Sequence, residues 1–366
     1  MKGLYVHIPF CVKKCDYCDF VSFSGCECEF EKYIDMLIAE LEKYRGEKIN
    51  SIFIGGGTPS VLPQHLIRKL CKAIKETFII DKNTEWTMEA NPETLDSAKI
   101  EAMLCGGINR VSVGVQSFND TELSAVGRIH SAKRAKDSVS ELSVAGFKNI
   151  NIDLMMSLPY QTAQSFKESL RVAVSLPITH ISVYSLIIEE GTPIAEKYRS
   201  KEYRMPDEDL DRDLYQYTKE FLKDSGFFHY EISNYAREGF ESKHNLKYWD
   251  CDEYIGVGVS AHSYINGLRF YNTDDLKEYL SGKTRDGEER LTLKDMQGEF
   301  MMLGLRKTRG ISEAEFLKRF GVGIDDCYGD ILNKYEKLGL IKRAQGRVFF
   351  TARGFDVSNS ILCELL

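Results

Sequence analysis

The sequence predicts an α/β fold: a partial (β/α)6 barrel over residues 1–280 and a small helical, winged-helix-like domain over residues 281–366. Short apolar runs alternate with helical stretches through residue 190, and glycines and prolines punctuate each change. Past residue 285 the pattern becomes helices followed by a short hairpin. Parallel strands need crossover connections, so repeated βα units imply a parallel, barrel-like sheet.

The elements follow in order. Residues 4–8 read as a strand, and residues 29–44 as a helix with Tyr33, Leu37 and Leu41 at helical spacing. Residues 51–54 form a short buried strand ending in Gly55-Gly56-Gly57. Pro63 sits near the first turn of a helix over 63–78. Strands at 85–90, 110–115, 149–155 and 180–186 alternate with helices at 96–104, 133–145 and 162–175. Gly106-Gly107 and Gly146 stop two of these helices. Gly191-Thr192-Pro193 reads as a turn, residues 207–225 as an amphipathic helix and residues 228–234 as one strand. The polar stretch Ser281–Arg290 reads as a linker. Helices are expected at 291–305, 312–320 and 325–338, then a hairpin through Arg347 and a closing helix.

Composition narrows the function. Forty-eight basic residues against 55 acidic ones give a net charge of −7, with no basic run, so no nucleic-acid partner is expected. No stretch approaches the ~20 apolar residues of a membrane span. Met1-Lys2-Gly3-Leu4-Tyr5 runs straight into a strand without a charged-then-apolar leader. Ten cysteines in 366 residues are too dilute for a disulfide scaffold, so a cytoplasmic, reducing location is expected.

The chemistry is concentrated behind the first strand. Cys11, Cys15 and Cys18 stand at CxxxCxxC spacing in a compact loop. Three thiolates suit a zinc site completed by Cys26, Cys28 or a histidine. They equally suit a [4Fe–4S] cluster with one iron left open to a chelating amino acid group. In barrels of this type chemistry sits at the C-terminal strand ends. That rim carries Gly56, Gly57 and Thr58, then Glu89, Gln116 with Arg128 beyond it, and Asp153. Taken singly, each also reads as a turn, a cap or a strand-end hydrogen bond.

The string Tyr5-Val-His-Ile-Pro-Phe-Cys11 through Cys15, Tyr17 and Cys18 resembles the signature of radical S-adenosylmethionine (SAM) enzymes. The branch is that of the oxygen-independent coproporphyrinogen oxidases and their HemW relatives. The resemblance implies that Cys11, Cys15 and Cys18 hold a [4Fe–4S] cluster. It implies that Gly56, Gly57, Thr58 and Glu89 meet the SAM amino group, that Arg128 meets its carboxylate, and that Gln116 and Asp153 meet its ribose. Tyr5 and Tyr17 match positions near the cluster and adenine. The implied reaction is reductive cleavage of SAM to a 5′-deoxyadenosyl radical.

Further along, Lys243-His244-Asn245-Leu-Lys-Tyr248-Trp249 contains HNxxYW. Alone, His244 reads as a histidine satisfied by a backbone carbonyl. The resemblance turns it into an axial haem ligand, flanked by Tyr248 and Trp249 and oriented by Asn245. Phe20 stands where the oxidases carry a further cysteine, and almost nothing precedes the first strand. These features place the resemblance on the HemW side, implying a haem-binding protein that passes haem to an acceptor, a membrane-associated one among the candidates, with an electron donor for the cluster. Coproporphyrinogen III oxidation is the alternative, and a zinc-binding structural protein the remote one.

Overall fold

The computed structural model describes residues 1–204 and 208–365. Six parallel strands form the centre: β1 (Lys2–Ile8), β2 (Lys48–Gly56), β3 (Ile79–Ala90), β4 (Arg110–Gln116), β5 (Asn149–Met156) and β6 (His180–Ser185). They pair in sequence order and the sheet does not close on itself. The crossovers carry α1 (Phe30–Leu41), α2 (Gln64–Thr77), α3 (Ser97–Gly106), α4 (Asp120–Ala125), α5 (Ala132–Ala145) and α6 (Ala163–Ser175). Caps fix the helix starts: Asp96, Ser131 and Thr162 each accept a backbone N–H from the first turn.

After β6 come α7 (Pro193–Arg199), α8 (Glu208–Asp224), β7 (Phe228–Glu231), β8 (Asn234–Ala236) and α9 (Lys243–Trp249). The expected start of α8 at Asp207 lies outside the described residues. The single strand expected over 228–234 is instead the first arm of a hairpin, because the chain reverses so that β8 can pair antiparallel with β6. The turn expected at Gly191 opens into α7, with Thr192 as its cap. Next come β9 (Tyr254–Val257), β10 (His262–Ile265), β11 (Leu268–Asn272), α10 (Leu276–Leu280) and β12 (Arg285–Arg290). Strand β9 pairs parallel with β1, and β10, β11 and β12 extend that edge antiparallel.

The linker expected at 281–290 is therefore corrected. Residues 285–290 form β12, and the break between the two units falls after Arg290 rather than at 281. The C-terminal unit comprises α11 (Leu293–Gly304), β13 (Ile311–Ser312), α12 (Glu313–Phe320), α13 (Ile324–Lys337), β14 (Ile341–Ala344), β15 (Arg347–Phe350), α14 (Ala352–Asp356) and α15 (Ser358–Leu362). It has its own core, with Phe300, Phe316, Leu332 and Val348 at its centre, and a three-stranded sheet.

Strand alternation sorts the barrel into two environments. Leu4, Val6, Ile8, Ile52, Ile54, Met88, Val111, Val113, Ile150, Ile152, Ile181 and Val183 face the helices and form the dry core. The intervening positions hold polar groups, among them His7, Ser51, Glu85, Thr87, Arg110, Ser112, Asn151 and His180, all buried.

One buried carboxylate joins α1 to the strand extension. Glu40 accepts hydrogen bonds from the Gly258 N–H at 2.9 Å, Asn272 Nδ2 at 2.7 Å and Tyr279 Oη at 2.6 Å. Removing it strands three buried donors. Glu40→Ala should lower the unfolding free energy by about 3 kcal/mol in chemical denaturation; an unchanged midpoint would show that the carboxylate is not what joins the two parts.

Candidate functional site

The loop after β1 folds back on the sheet through the backbone. The Cys11 N–H donates to the Phe23 carbonyl at 2.9 Å, and the Phe23 N–H to the Pro9 carbonyl at 2.7 Å. Phe10 anchors it in the core against Phe30 and Tyr33. The Asp16 N–H donates to Val126 behind β4, and Asp16 Oδ2 pairs with Lys197 of α7 at 2.8 Å. The cysteine loop is thus held from both sides of the barrel mouth.

Cys11, Cys15 and Cys18 line one cavity together with Tyr17, Gly56, Gly57, Thr58, Glu89, Gln116, Arg128 and Asp153. Residues far apart in sequence meet there because each ends a neighbouring parallel strand or begins the loop behind it. Gly57 is required: a Cβ there would lie 2.8 Å from the Phe10 carbonyl oxygen and 2.9 Å from its nitrogen. Gly56 has φ of 112°, and its N–H donates to Glu89 Oε2 at 3.0 Å. Burial, then the nearby Asp153, push the Glu89 carboxyl up to about 8, against the opposing pull of the Gly56 N–H and Arg110. Burial likewise raises Asp153.

Arg128 reaches across the cavity. It donates to Cys15 Sγ at 3.3 Å, to Asn91 Oδ1 at 2.8 Å and to the Gly114 carbonyl. Its Nε is buried without a partner, as a guanidinium awaiting an anion would be. Thr58 Oγ1 donates to Cys11 Sγ at 3.4 Å and accepts from Asn91 Nδ2 at 3.0 Å. Gln116 adopts a left-handed φ of 66° and accepts from Tyr184 Oη at 3.1 Å. Asn91 and Tyr184 were not singled out from sequence. The signals available were the Asn-Pro step after Glu89 and the period-two position of Tyr184 at the end of β6.

These residues fit a cluster and SAM. Three thiols face one cavity beside an arginine with an unpaired N–H and a glycine cradle that a Cβ would fill. Among the described residues no three His, Cys, Asp or Glu side chains converge on a single-ion geometry. A four-iron cube gives each cysteine its own iron and spreads them more widely. Burial pushes the Cys11 and Cys18 thiols up, so loading iron releases protons.

A family model of the Radical SAM superfamily matches residues 5–173, and one of the HemN C-terminal domain matches residues 291–357. The chain is 38% identical over 365 residues to the heme chaperone HemW of Lactococcus lactis subsp. lactis (strain IL1403), covering 99% of this chain and 96% of that one. It is 34% identical over 376 residues to the heme chaperone HemW of Bacillus subtilis (strain 168), covering 100% and 99%. The chain belongs to the HemW family of radical SAM proteins. Its cofactors are accordingly a [4Fe–4S] cluster and SAM. The solved coproporphyrinogen III oxidase HemN from Escherichia coli shares the fold, with a TM-score of 0.87 at 24% identity over 99% of this chain and 89% of that one.

Two expectations about site residues need correction. Tyr5 does not line the cluster cavity. It points into the barrel below, where its hydroxyl bonds His7 Nδ1 at 2.9 Å and its ring stacks near Phe53. The reason is register: Tyr5 faces inward with Gly3 and His7, but it lies level with Phe53, Thr87 and Arg110, a layer below Glu89 and Ser112. Tyr17 does line the cavity.

The HNxxYW residues lie at the opposite mouth of the barrel. Helix α9 starts under the strands, with its Lys243 and His244 N–H groups donating to the Glu85 carboxylate at 3.1 Å each. His244 is 1% exposed, and both ring nitrogens are taken, Nδ1 by Ser51 Oγ at 3.0 Å and Nε2 by Tyr248 Oη at 3.0 Å. It has no open nitrogen for haem iron in this structure. The two side chains meet because four residues apart is one helical turn. Asn245 does not orient the imidazole; its N–H donates to the capping Ser242. Trp249 lies under the Arg306 guanidinium of the C-terminal unit. Just beyond, Asp250 pairs with Lys307 and Arg309, and Asp252 with Arg319. The motif fastens the barrel floor to the C-terminal unit.

Two measurements check these assignments. Cys11→Ala, Cys15→Ala and Cys18→Ala should each abolish iron retention, and Cys26→Ala and Cys28→Ala should leave it intact; iron loss in either of the last two would break the three-cysteine set. Burial first, then Lys247, depress the His244 imidazole to about 3. Its unfolded form takes up a proton below about 6.5 while the folded form does not, so stability falls as pH falls from 6.5 toward 3. His244→Gln should flatten that acid-side slope in denaturation curves, and an unchanged slope would place the titration elsewhere.

Proposed function

We propose that this protein is a haem chaperone of the HemW kind. Cys11, Cys15 and Cys18 hold the [4Fe–4S] cluster, and the cavity from Gly56 to Asp153 holds SAM. Haem is the cargo, handed to an acceptor protein, with a membrane-associated acceptor among the candidates. A cytoplasmic electron donor reduces the cluster, and nucleic acid plays no part. The observation that carries the reading is near-full-length likeness, at 31–38% identity, to proteins that each bear the name heme chaperone HemW. Among the described residues no helix is long and apolar enough to cross a membrane.

When bound, the reduced cluster supplies the electron that splits the SAM sulfonium. The protein's own contribution is placement. Glu89 takes the amino group beside the Gly56–Gly57 cradle. Arg128 turns its free Nε to the carboxylate, and Asp153 and Gln116 take the ribose hydroxyls. Tyr17 closes the cavity wall between the cysteines and Arg128. Phe20, 64% exposed at the mouth, leaves no thiol where the oxidases carry one.

Arg128→Ala and Asp153→Ala should each weaken SAM binding by about 1.5–3 kcal/mol in calorimetry of the reconstituted protein, with iron content unchanged. Unaltered affinity in both variants would overturn the SAM assignment. The whole reading is tested by anaerobic reconstitution followed by haem titration and a coproporphyrinogen III assay on one sample. Haem binding without formation of protoporphyrinogen IX is the expected result. Turnover with SAM and reductant would favour the oxidase instead.

A further inference from the structure

The ribose carboxylate does not stand alone. Asn151 Nδ2 donates to Asp153 Oδ1 at 2.8 Å and to Ser112 Oγ at 2.7 Å. With both amide protons so used, Asn151 Oδ1 acts as an acceptor and faces His180 Nδ1 at 2.5 Å. That contact fixes the tautomer: Nδ1 of His180 carries the proton and Nε2 is bare. The bare nitrogen lies 2.8 Å from Tyr230 Oη, so the phenol donates to it. Tyr230 Oη in turn accepts the Ser242 N–H at 3.2 Å. Ser242 is the cap of α9. Asn151, His180 and Ser242 are all buried to 1% exposure or less, while Asp153 and Tyr230 at the two ends are half-buried.

Ser182 Oγ also donates to Asn151 Oδ1, at 3.3 Å, and each proton from Asn151 to Tyr230 has one acceptor. A side chain with a free choice of partner can rotate, whereas one locked at both ends cannot. The Tyr230 carbonyl also accepts the Thr308 N–H of the C-terminal unit at 3.0 Å. We infer that Tyr230, His180 and Asn151 are positioning residues for SAM: they hold Asp153 in its ligand-binding orientation and tie SAM affinity to the seat of α9. This rests on the reading of Asp153 as a SAM ligand. Because coupling between two sites is reciprocal, SAM occupancy also steadies the cap of α9.

The test is calorimetric SAM titration of the reconstituted protein in four forms: wild type, Tyr230→Phe, Asp153→Ala and the double variant. His180→Asn is added as an independent break in case Tyr230→Phe proves unstable. Tyr230→Phe removes one oxygen far from the ligand and should weaken SAM about three- to tenfold, with iron content unchanged. In the double variant that loss should vanish, because Asp153 is no longer there to be positioned; a merely structural effect would instead add to the Asp153→Ala loss. Wild-type affinity in both Tyr230→Phe and His180→Asn, or additive losses, overturns the inference while the SAM reading stands. Unchanged affinity in Asp153→Ala removes the reading itself, and the inference with it.

Discussion

Everything inside the barrel depends on one buried cation. Arg110 is 2% exposed in the middle of the lumen, with a hydrogen bond to Thr87 and an Nε that has none. The carboxylates that its charge reaches are those of Glu89 and Asp153. Its field acts on Glu89 and Asp153 toward one mouth, and on the imidazoles of His180 and His244 toward the other. At the floor the Glu85 carboxylate accepts the Lys243 and His244 N–H groups at the start of α9. The polar lumen thus runs from the cysteine-lined cavity at one end to α9 at the other.

Much of the fold was legible in the sequence because a parallel strand buried on both faces reads as a compact apolar run, and its crossover helix carries caps. All six central strands fall where the runs predicted. The cluster loop and the rim residues were legible too, since strand order converts six separate short motifs into neighbours at one mouth. The failures share a cause. Tyr5 faces inward as Glu89 does, and its level in the lumen is set by register with Phe53 of β2, a tertiary pairing that the cysteine string does not reveal. The β7–β8 reversal was missed because pairing with β6, a tertiary event, makes a strand of residues 234–236.

The HNxxYW stretch shows the limit more sharply. Its residue types suit a haem pocket, and nothing local reveals which mouth of the barrel the helix closes. That is set by Glu85, more than 150 positions away, and by the basic residues of the C-terminal unit. Histidine and tyrosine one turn apart on a helix bind each other as readily as they bind a ligand. Here Ser51 completes the pair and the imidazole becomes a core group.

Strand β12, written Arg285-Asp-Gly-Glu-Glu-Arg290, ends the long sheet at one edge. A row of free backbone donors and acceptors invites another copy to pair with it and grow an aggregate. Here five of the six residues along that row, Arg285, Asp286, Glu288, Glu289 and Arg290, carry full charge and face solvent, with Gly287 tucked against the Tyr271 ring. A second chain approaching in register would have to strip water from them. The composition that mimics a linker is the same composition that guards the edge of an open sheet of twelve strands.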